Sequence, residues 1–304
     1  MILKIVFLGF ITMIAGCSSL PKDFESVESY SFTDTGNTAL GKEAASVIEP
    51  NEPGHSTIYL ISEGTDAFLT RMVLMSMAER SIDVQYFIWK SDLIGKLMMQ
   101  NMIVAAERGV RVRMLLDDVT LDSQTRKMVF AMDQHPNIHV RIYNPFSSSG
   151  RRVGAALTDT SRVNRRMHNK SFTVDNQYTI VGGRNIENNY FSANTRSNYA
   201  DLDIVAVGPM VKEVSDHFDI YWNSSLAVPA DVFGGYESQA ERLQDLKREL
   251  SAFAASKQDS EYALDLKDSE MYKRLTSEIA GESTERLYRG EAHVIYDSPE
   301  KTLG

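Results

Sequence analysis

Hydrophobic residues recur at spacings of three and four in two early stretches, Ala67, Phe68, Met72 and Met75 after Ser62-Glu63-Gly64, and Ile94, Leu97, Met98, Val104 and Ala105 up to Arg108. Such spacing lays apolar side chains along one stripe of a helix, and Gly109 stands where a C-cap belongs. Two other runs have strand character. Ile82 to Trp89 is an apolar and aromatic run, and Val110 to Leu116 alternates apolar residues with arginine. Strand, helix and strand in that order make a β-α-β unit, which predicts a mixed sheet with helices packed on it. A helix over Ser123 to Asp133 and a strand over His139 to Tyr143 continue the pattern. Farther on come a short strand, Asp203 to Val207, and an amphipathic helix, Met210 to Trp222, with Val211, Val214, Phe218, Tyr221 and Trp222 on one side. His217, at the border of that side, is expected to be structural.

The two ends of the chain are patterned differently. Met1 to Gly16 carries one positive charge, Lys4, then an apolar run from Ile5 to Ala15. It is too short to cross a bilayer and is laid out like a secretory signal. Ile14-Ala15-Gly16-Cys17 resembles the lipobox of bacterial lipoproteins, which implies lipidation of Cys17 and a membrane-anchored protein facing the periplasm. Ser18 follows the cysteine with no aspartate, which leaves sorting to the outer membrane open. Cys17 is the only cysteine, so no intramolecular disulfide forms. Residues 17–55 are polar, with Pro21, Pro50 and Pro53, and are expected to be a flexible tether. A globular domain is expected over 56–233. From Gly234 on, Leu243, Leu246, Leu250 and Phe253 are set among many charges, which predicts a solvent-laced helical linker over 234–289 with a second helix from Ser269 to Ile279. Ala292 to Tyr296 is expected to start a strand of an incomplete second domain at 290–304.

The chemistry-bearing residues concentrate between Arg166 and Asn185. His168 and Lys170 share one face of a strand that runs into Phe172, Thr173 and Val174. Asp175-Asn176-Gln177 supplies turn residues, and Tyr178 to Val181 reads as the returning strand. With Asn176 and Gln177 as a two-residue loop, Tyr178 pairs with Asp175, Gly183 with Lys170 and Asn185 with His168. Paired residues point to the same face. The hairpin would then offer an imidazole, an ammonium, a carboxamide and a bare glycine backbone to an anionic tetrahedral phosphorus. A change of one residue in the turn would break this alignment.

The spacing His168-x-Lys170-x4-Asp175-x6-Gly182-Gly183-x-Asn185 resembles the signature of the phospholipase D superfamily, H-x-K-x4-D-x6-G-[SG]-x-N. Position 183 is glycine where many members have serine, so a hydroxyl contact to phosphate is missing. The segments Ser81 to Trp89 and Ala105 to Asp118 resemble the opening of bacterial cardiolipin synthases of the phospholipase D type, and the likeness runs from residue 56 to residue 225. It implies an α/β fold, a phospholipase D-like mixed β-sheet flanked by helices and followed by linker helices. It further implies transfer of a phosphatidyl group through a phosphohistidine. His168, Lys170 and Asp175 would be the catalytic set, with His168 as nucleophile, while Lys170, Gly183 and Asn185 would bind the substrate phosphate. Asp175, at the turn and out of phase with His168, is expected to brace the hairpin rather than touch substrate. The implied substrate is phosphatidylglycerol or a similar phospholipid, converted to cardiolipin. No metal or other cofactor is implied.

A net charge of -9 argues against general nucleic-acid binding. Against that background Arg151, Arg152, Arg162, Arg165 and Arg166, around the apolar Val153 to Leu157 and with Asp159 as the acid among them, form a local basic excess. It suits an anionic lipid head and equally a solvated basic loop. In relatives two H-x-K motifs meet at one site, the second histidine protonating the departing alkoxide and then deprotonating the incoming alcohol. Here His55, His135, His139, His217 and His293 are followed two positions later by Thr57, Asn137, Arg141, Asp219 and Ile295, so none begins a second motif. Three accounts fit. The chain is the first half of a two-motif cardiolipin synthase whose second half would begin at Glu291 to Lys301, a homodimeric single-motif phosphodiesterase or nuclease, or a non-catalytic lipoprotein that binds phospholipid. The first is favoured, because a compact homodimer needs no linker helices and a relic site need not keep His168, Lys170 and Asp175.

Overall fold

The computed structural model describes residues 24, 26–48, 52–146, 166–233, 239–276 and 287–302. The candidate signal, Cys17 and the basic segment as far as Arg165 lie outside the described residues. The elements run α1 (Ala39–Val47), β1 (Ser56–Ile61), α2 (Gly64–Met77), β2 (Ser81–Tyr86), α3 (Leu93–Glu107), β3 (Arg111–Asp117), α4 (Ser123–Met132), β4 (Ile138–Tyr143), β5 (Ser171–Val174), β6 (Tyr178–Gly182), β7 (Asp203–Val207), α5 (Pro209–Trp222), β8 (Ala227–Pro229), α6 (Gln239–Ser256), α7 (Glu261–Asp268), α8 (Glu270–Thr276) and β9 (Leu287–Gly290). Their strands form one nine-stranded sheet in the order β8-β4-β3-β2-β5-β6-β7-β1-β9. Only β2-β3 and β3-β4 among these neighbours are parallel, because α3 and α4 carry the chain back over the sheet between them. Gly109, at φ 96°, ends α3 in a conformation that costs other residues energy.

The alternation in β3 reflects a sheet with two unlike faces. Ile82, Val84, Val112, Met114, Phe172, Val174 and Ile180 fill the main core with α2, α3 and α4. The other face is polar and still buried, with Asp83, Arg113, Arg141, Thr173 and Thr179 under α5 and the N-terminal stretch. Arg113, 0% exposed, grips Asp83 with both ends of its fork, at 2.7 and 2.9 Å. It also pairs with Asp219 at 2.8 Å and lies over the rings of Phe218 and Trp222. A buried guanidinium needs every donor engaged, since an unpaired buried charge is costly.

That requirement overturns the expectation of a flexible tether for residues 26–48, the part of it that is described apart from Phe24 and residues 52–55. The Ser29 carbonyl accepts from Arg113 at 2.8 Å, the Ser31 N–H donates to Asp219 at 2.8 Å, and the Val27 carbonyl accepts from Arg141 at 2.6 Å. Arg111 lies 3.8 Å from the centre of the Phe32 ring. Thr38 then caps α1 through Gly41 N–H at 3.0 Å, and α1 buries Leu40 and Ala44 in the main core. A stretch poor in apolar residues is ordered here by completing the bonding of buried ions.

Two further expectations change at the other end. Leu243, Leu246 and Leu250 of α6 are buried against α3 and α4, so the supposed linker helix is a layer of the domain. Lys96 pairs with Glu249 across that contact at 3.1 Å, and the Tyr262 hydroxyl of α7 donates to the Phe191 carbonyl at 2.9 Å. The expected strand at Ala292 to Tyr296 does not form. The strand is β9, which pairs antiparallel with β1 (Ser56 with Gly290). The following residues run along α5, with Val294 N–H donating to Glu213 at 2.9 Å and Tyr221 hydroxyl to the Asp297 carbonyl at 2.8 Å. Tyr296 lays its ring on His217, 3.8 Å between centres.

Candidate active site

β5 and β6 form the expected hairpin in mid-sheet, in a different register. Ser171 pairs with Val181, Phe172 with Ile180, Thr173 with Thr179 and Val174 with Tyr178. The turn is centred on Asp175 and Asn176, at φ 51° and 50°, and closes with Gln177 N–H on the Val174 carbonyl at 3.0 Å. Aspartate and asparagine tolerate the left-handed region better than other residues with side chains, so the turn begins one residue early and Gln177 is the extra residue. The pairings of Tyr178 with Asp175, Gly183 with Lys170 and Asn185 with His168 are therefore wrong by one position.

His168 and Lys170 nevertheless come together on the approach to β5. The exposed imidazole of His168 stacks on Phe87, ring centres 4.1 Å apart and planes 26° apart. The Lys170 ammonium donates to the His168 carbonyl at 2.6 Å and lies 5.7 Å from the centre of the same Phe87 ring. Partial burial, then the Lys170 charge, push the His168 pKa below its ordinary value, which leaves the imidazole neutral at neutral pH. Lys170 is itself pushed down by burial, with Asp201 opposing. Asn169 turns the other way, its carboxamide 3.3 Å from Nε2 of His217. Burial holds His217 down to about 4, an uncharged packing residue under Tyr296. Just upstream, Asp117 accepts from the Met167 N–H at 3.1 Å and pairs with Arg166 at 3.3 Å, fixing the entry to the motif. Burial raises the Asp117 carboxyl to about 6 against the pull of Arg166.

The rest of the motif lies inside. Asp175, 0% exposed, accepts from the backbone N–H groups of Arg80 at 2.7 Å, Ser81 at 2.9 Å and Glu79 at 3.0 Å. It pins the start of β2 to the turn. Asn185 accepts from Ile88 N–H at 3.0 Å and donates to the Tyr190 hydroxyl at 3.1 Å. Its carboxamide thus holds the residue after Phe87, while Thr120 hydroxyl holds the Phe87 carbonyl at 2.7 Å. Arg184 is buried and donates to the carbonyls of Tyr190 at 3.0 Å, Ile61 at 3.1 Å and Ser62. Gly183 donates its N–H to the Leu202 carbonyl at 3.2 Å and lies under Asp201. Phe87, against His168, and Asp201, against Gly183, are neighbours of the motif that the sequence did not single out. Phe87 sits in an apolar run where an aromatic residue reads as core, and nothing local marks Asp201.

Residues 72–222 match the family model for a cardiolipin synthase, PLD-like domain. The chain is 47% identical over 184 residues to cardiolipin synthase C of Escherichia coli (strain K12), a span of 59% of this chain and 38% of that protein. It is 32% identical over 303 residues to an uncharacterized protein of Helicobacter pylori (strain ATCC 700392 / 26695), covering 97% of this chain and 58% of the relative. The chain thus spans 38% and 58% of the length of these relatives, less than two thirds of either. Among solved structures, NucT from Helicobacter pylori is similar with a TM-score of 0.44 at 15% identity, covering 57% of this chain and 99% of that one.

Proposed function

The chain belongs to the phospholipase D superfamily, and from that premise we propose that it is a phosphatidyl transferase of the cardiolipin synthase type working through a covalent phosphohistidine. One observation carries the reading. The imidazole of His168 and the ammonium of Lys170 are the motif groups left reachable, while Asp175 and Asn185 are buried as their support.

In the proposed step an imidazole lone pair attacks phosphorus of phosphatidylglycerol. A nitrogen–phosphorus bond forms, the bond to the headgroup glycerol oxygen breaks, and Lys170 stabilises charge on the phosphoryl oxygens. The headgroup hydroxyl of a second phosphatidylglycerol then takes the phosphatidyl group from His168 to give cardiolipin. The departing alkoxide needs a proton. No second H-x-K motif occurs in this sequence, and His217 is turned away with Asn169. The acid is therefore assigned to a second motif supplied by further polypeptide or by a second copy. A nuclease reading shares this chemistry, and the net charge of -9 weighs against a polyanionic strand as substrate. The proposed membrane attachment is lipid on Cys17, with the domain facing the periplasm. No helix of the described residues is long and apolar enough to cross a membrane.

The test uses phosphatidylglycerol vesicles, with the chain alone and with a polypeptide carrying the second motif of a cardiolipin synthase. Cardiolipin should form in the second case and vanish with His168→Ala. Cleavage of an oligonucleotide without cardiolipin formation would favour the nuclease.

A further inference from the structure

The H-x-K residues reach β5 without the support of a sheet. Pairing of β5 with β2 begins at Ser171, opposite Gln85, so His168, Asn169 and Lys170 approach outside the ladder. A stretch of this kind is placed by what its side chains and N–H groups meet. Upstream, Met167 N–H rests on Asp117. His168 and Lys170 both lie against Phe87, and between them the half-buried Asn169 turns away and meets Nε2 of His217 at 3.3 Å.

His217 is itself boxed in, 5% exposed on α5. Tyr296 lies on its ring at 3.8 Å between centres, and Tyr221 meets it edge-on at 4.9 Å. A neutral imidazole donates from one nitrogen and accepts at the other. The Asp297 main chain bonds to the ring and favours its protonated form, as an acceptor does, which puts the N–H on that side. Nε2 is then left to accept from the Asn169 amide. The Asp297 carbonyl also accepts from Tyr221, while Glu213 holds Val294 N–H at 2.9 Å and His293 at 2.8 Å. Residues 293–297 thus fix the place and the tautomer of a ring whose other nitrogen holds the middle of the motif.

We propose that His217 is a positioning residue for the nucleophile: through Asn169 it sets the backbone that carries His168 onto Phe87, and residues 293–297 lock it there. The inference rests on the reading of His168 as nucleophile. Loss of the Asn169 contact frees the backbone between His168 and Lys170, so the imidazole is aligned less of the time, which lowers kcat rather than substrate binding.

The experiment follows the full chain with bis(4-nitrophenyl) phosphate, whose leaving group departs without a proton. It also follows the His168 ring-proton resonances, which the stacked Phe87 ring shifts. His217→Leu keeps the bulk without the acceptor and should slow the burst about tenfold at saturating substrate, with KM changed by less than about twofold. His217→Gln, whose carboxamide oxygen can accept from Asn169, should recover most of the rate. Asn169→Ala should match His217→Leu, and the two together should lose no more than either alone. Tyr296→Ser should slow the otherwise wild-type protein but not His217→Leu. Melting temperatures confirm that each variant is folded, and the half-buried Asn169→Ala carries the test if His217→Leu unfolds. A wild-type rate with unmoved His168 resonances in the folded variants would overturn the inference, as would losses that add between positions 217 and 169. If no form of the protein gives a His168-dependent burst, the phosphohistidine reading fails and the resonances decide alone. A His168 shift in His217→Leu and Asn169→Ala that His217→Gln reverses would support the positioning role, and no shift would overturn it.

Discussion

The imidazole of His168 lies flat against Phe87, ring centres 4.1 Å apart. Phe87 is in turn held on both sides, by Thr120 at its carbonyl and by Asn185 at the next N–H. The spacing of the motif therefore ends, at Asn185, on the platform under its own histidine. Replacing Phe87 with leucine should free the imidazole and lower kcat on a phosphodiester by about tenfold, a modest share of what orientation contributes. Tyrosine should restore most of it. Equal kcat for Phe87→Leu and wild type would remove Phe87 from this role.

The pH profile should report the Lys170 charge. Attack requires the neutral imidazole, so rate falls as pH drops through the His168 pKa, which burial and then Lys170 hold below the ordinary value. Lys170→Met removes the second cause, makes the imidazolium easier to form and should move the acid limb to higher pH. Lys170→Arg should leave the limb near its wild-type position. A histidine-resolved proton NMR titration measures the same shift without turnover.

Asp175 is predicted to matter through stability. Alanine there strips acceptors from the N–H groups of Glu79, Arg80 and Ser81 in a fully buried place. The loss should be about 2–4 kcal/mol in urea unfolding, several unsatisfied donors at once. Abolished activity with unchanged stability would instead place Asp175 in the chemistry.

Deleting residues 1–37 should be more costly than their composition suggests. It removes the carbonyls and serine groups that meet Arg113 and Arg141 and the ring under Arg111. A fall in melting temperature of more than about 2 °C is expected, the effect of roughly 1 kcal/mol or more on a domain of this size. No change would restore the tether.

The β-α-β core was legible because Ile82 to Trp89, the α3 stripe and β3 each follow one period, and tertiary packing had nothing to override. The alternating arginines of β3 were visible too, but not that their face is buried, since that depends on Asp83, Asp219 and Ser29 arriving from distant positions. His168 and Lys170 were found by spacing. The hairpin register was missed because Asp175 and Asn176 both accept left-handed backbone, a choice that composition leaves open. Asn185 was read from the motif alone, and its tertiary partners, Ile88 and Tyr190, cannot be seen there.

The central claim is that His168 attacks phosphorus, and a substrate whose leaving group departs without a proton isolates that step from the missing acid. With bis(4-nitrophenyl) phosphate, the chain should release nitrophenolate in a burst of one equivalent and carry a nitrophenyl phosphoryl group on His168 by mass spectrometry, and His168→Ala should do neither. Equal release by His168→Ala, or the label on another residue, would contradict the account.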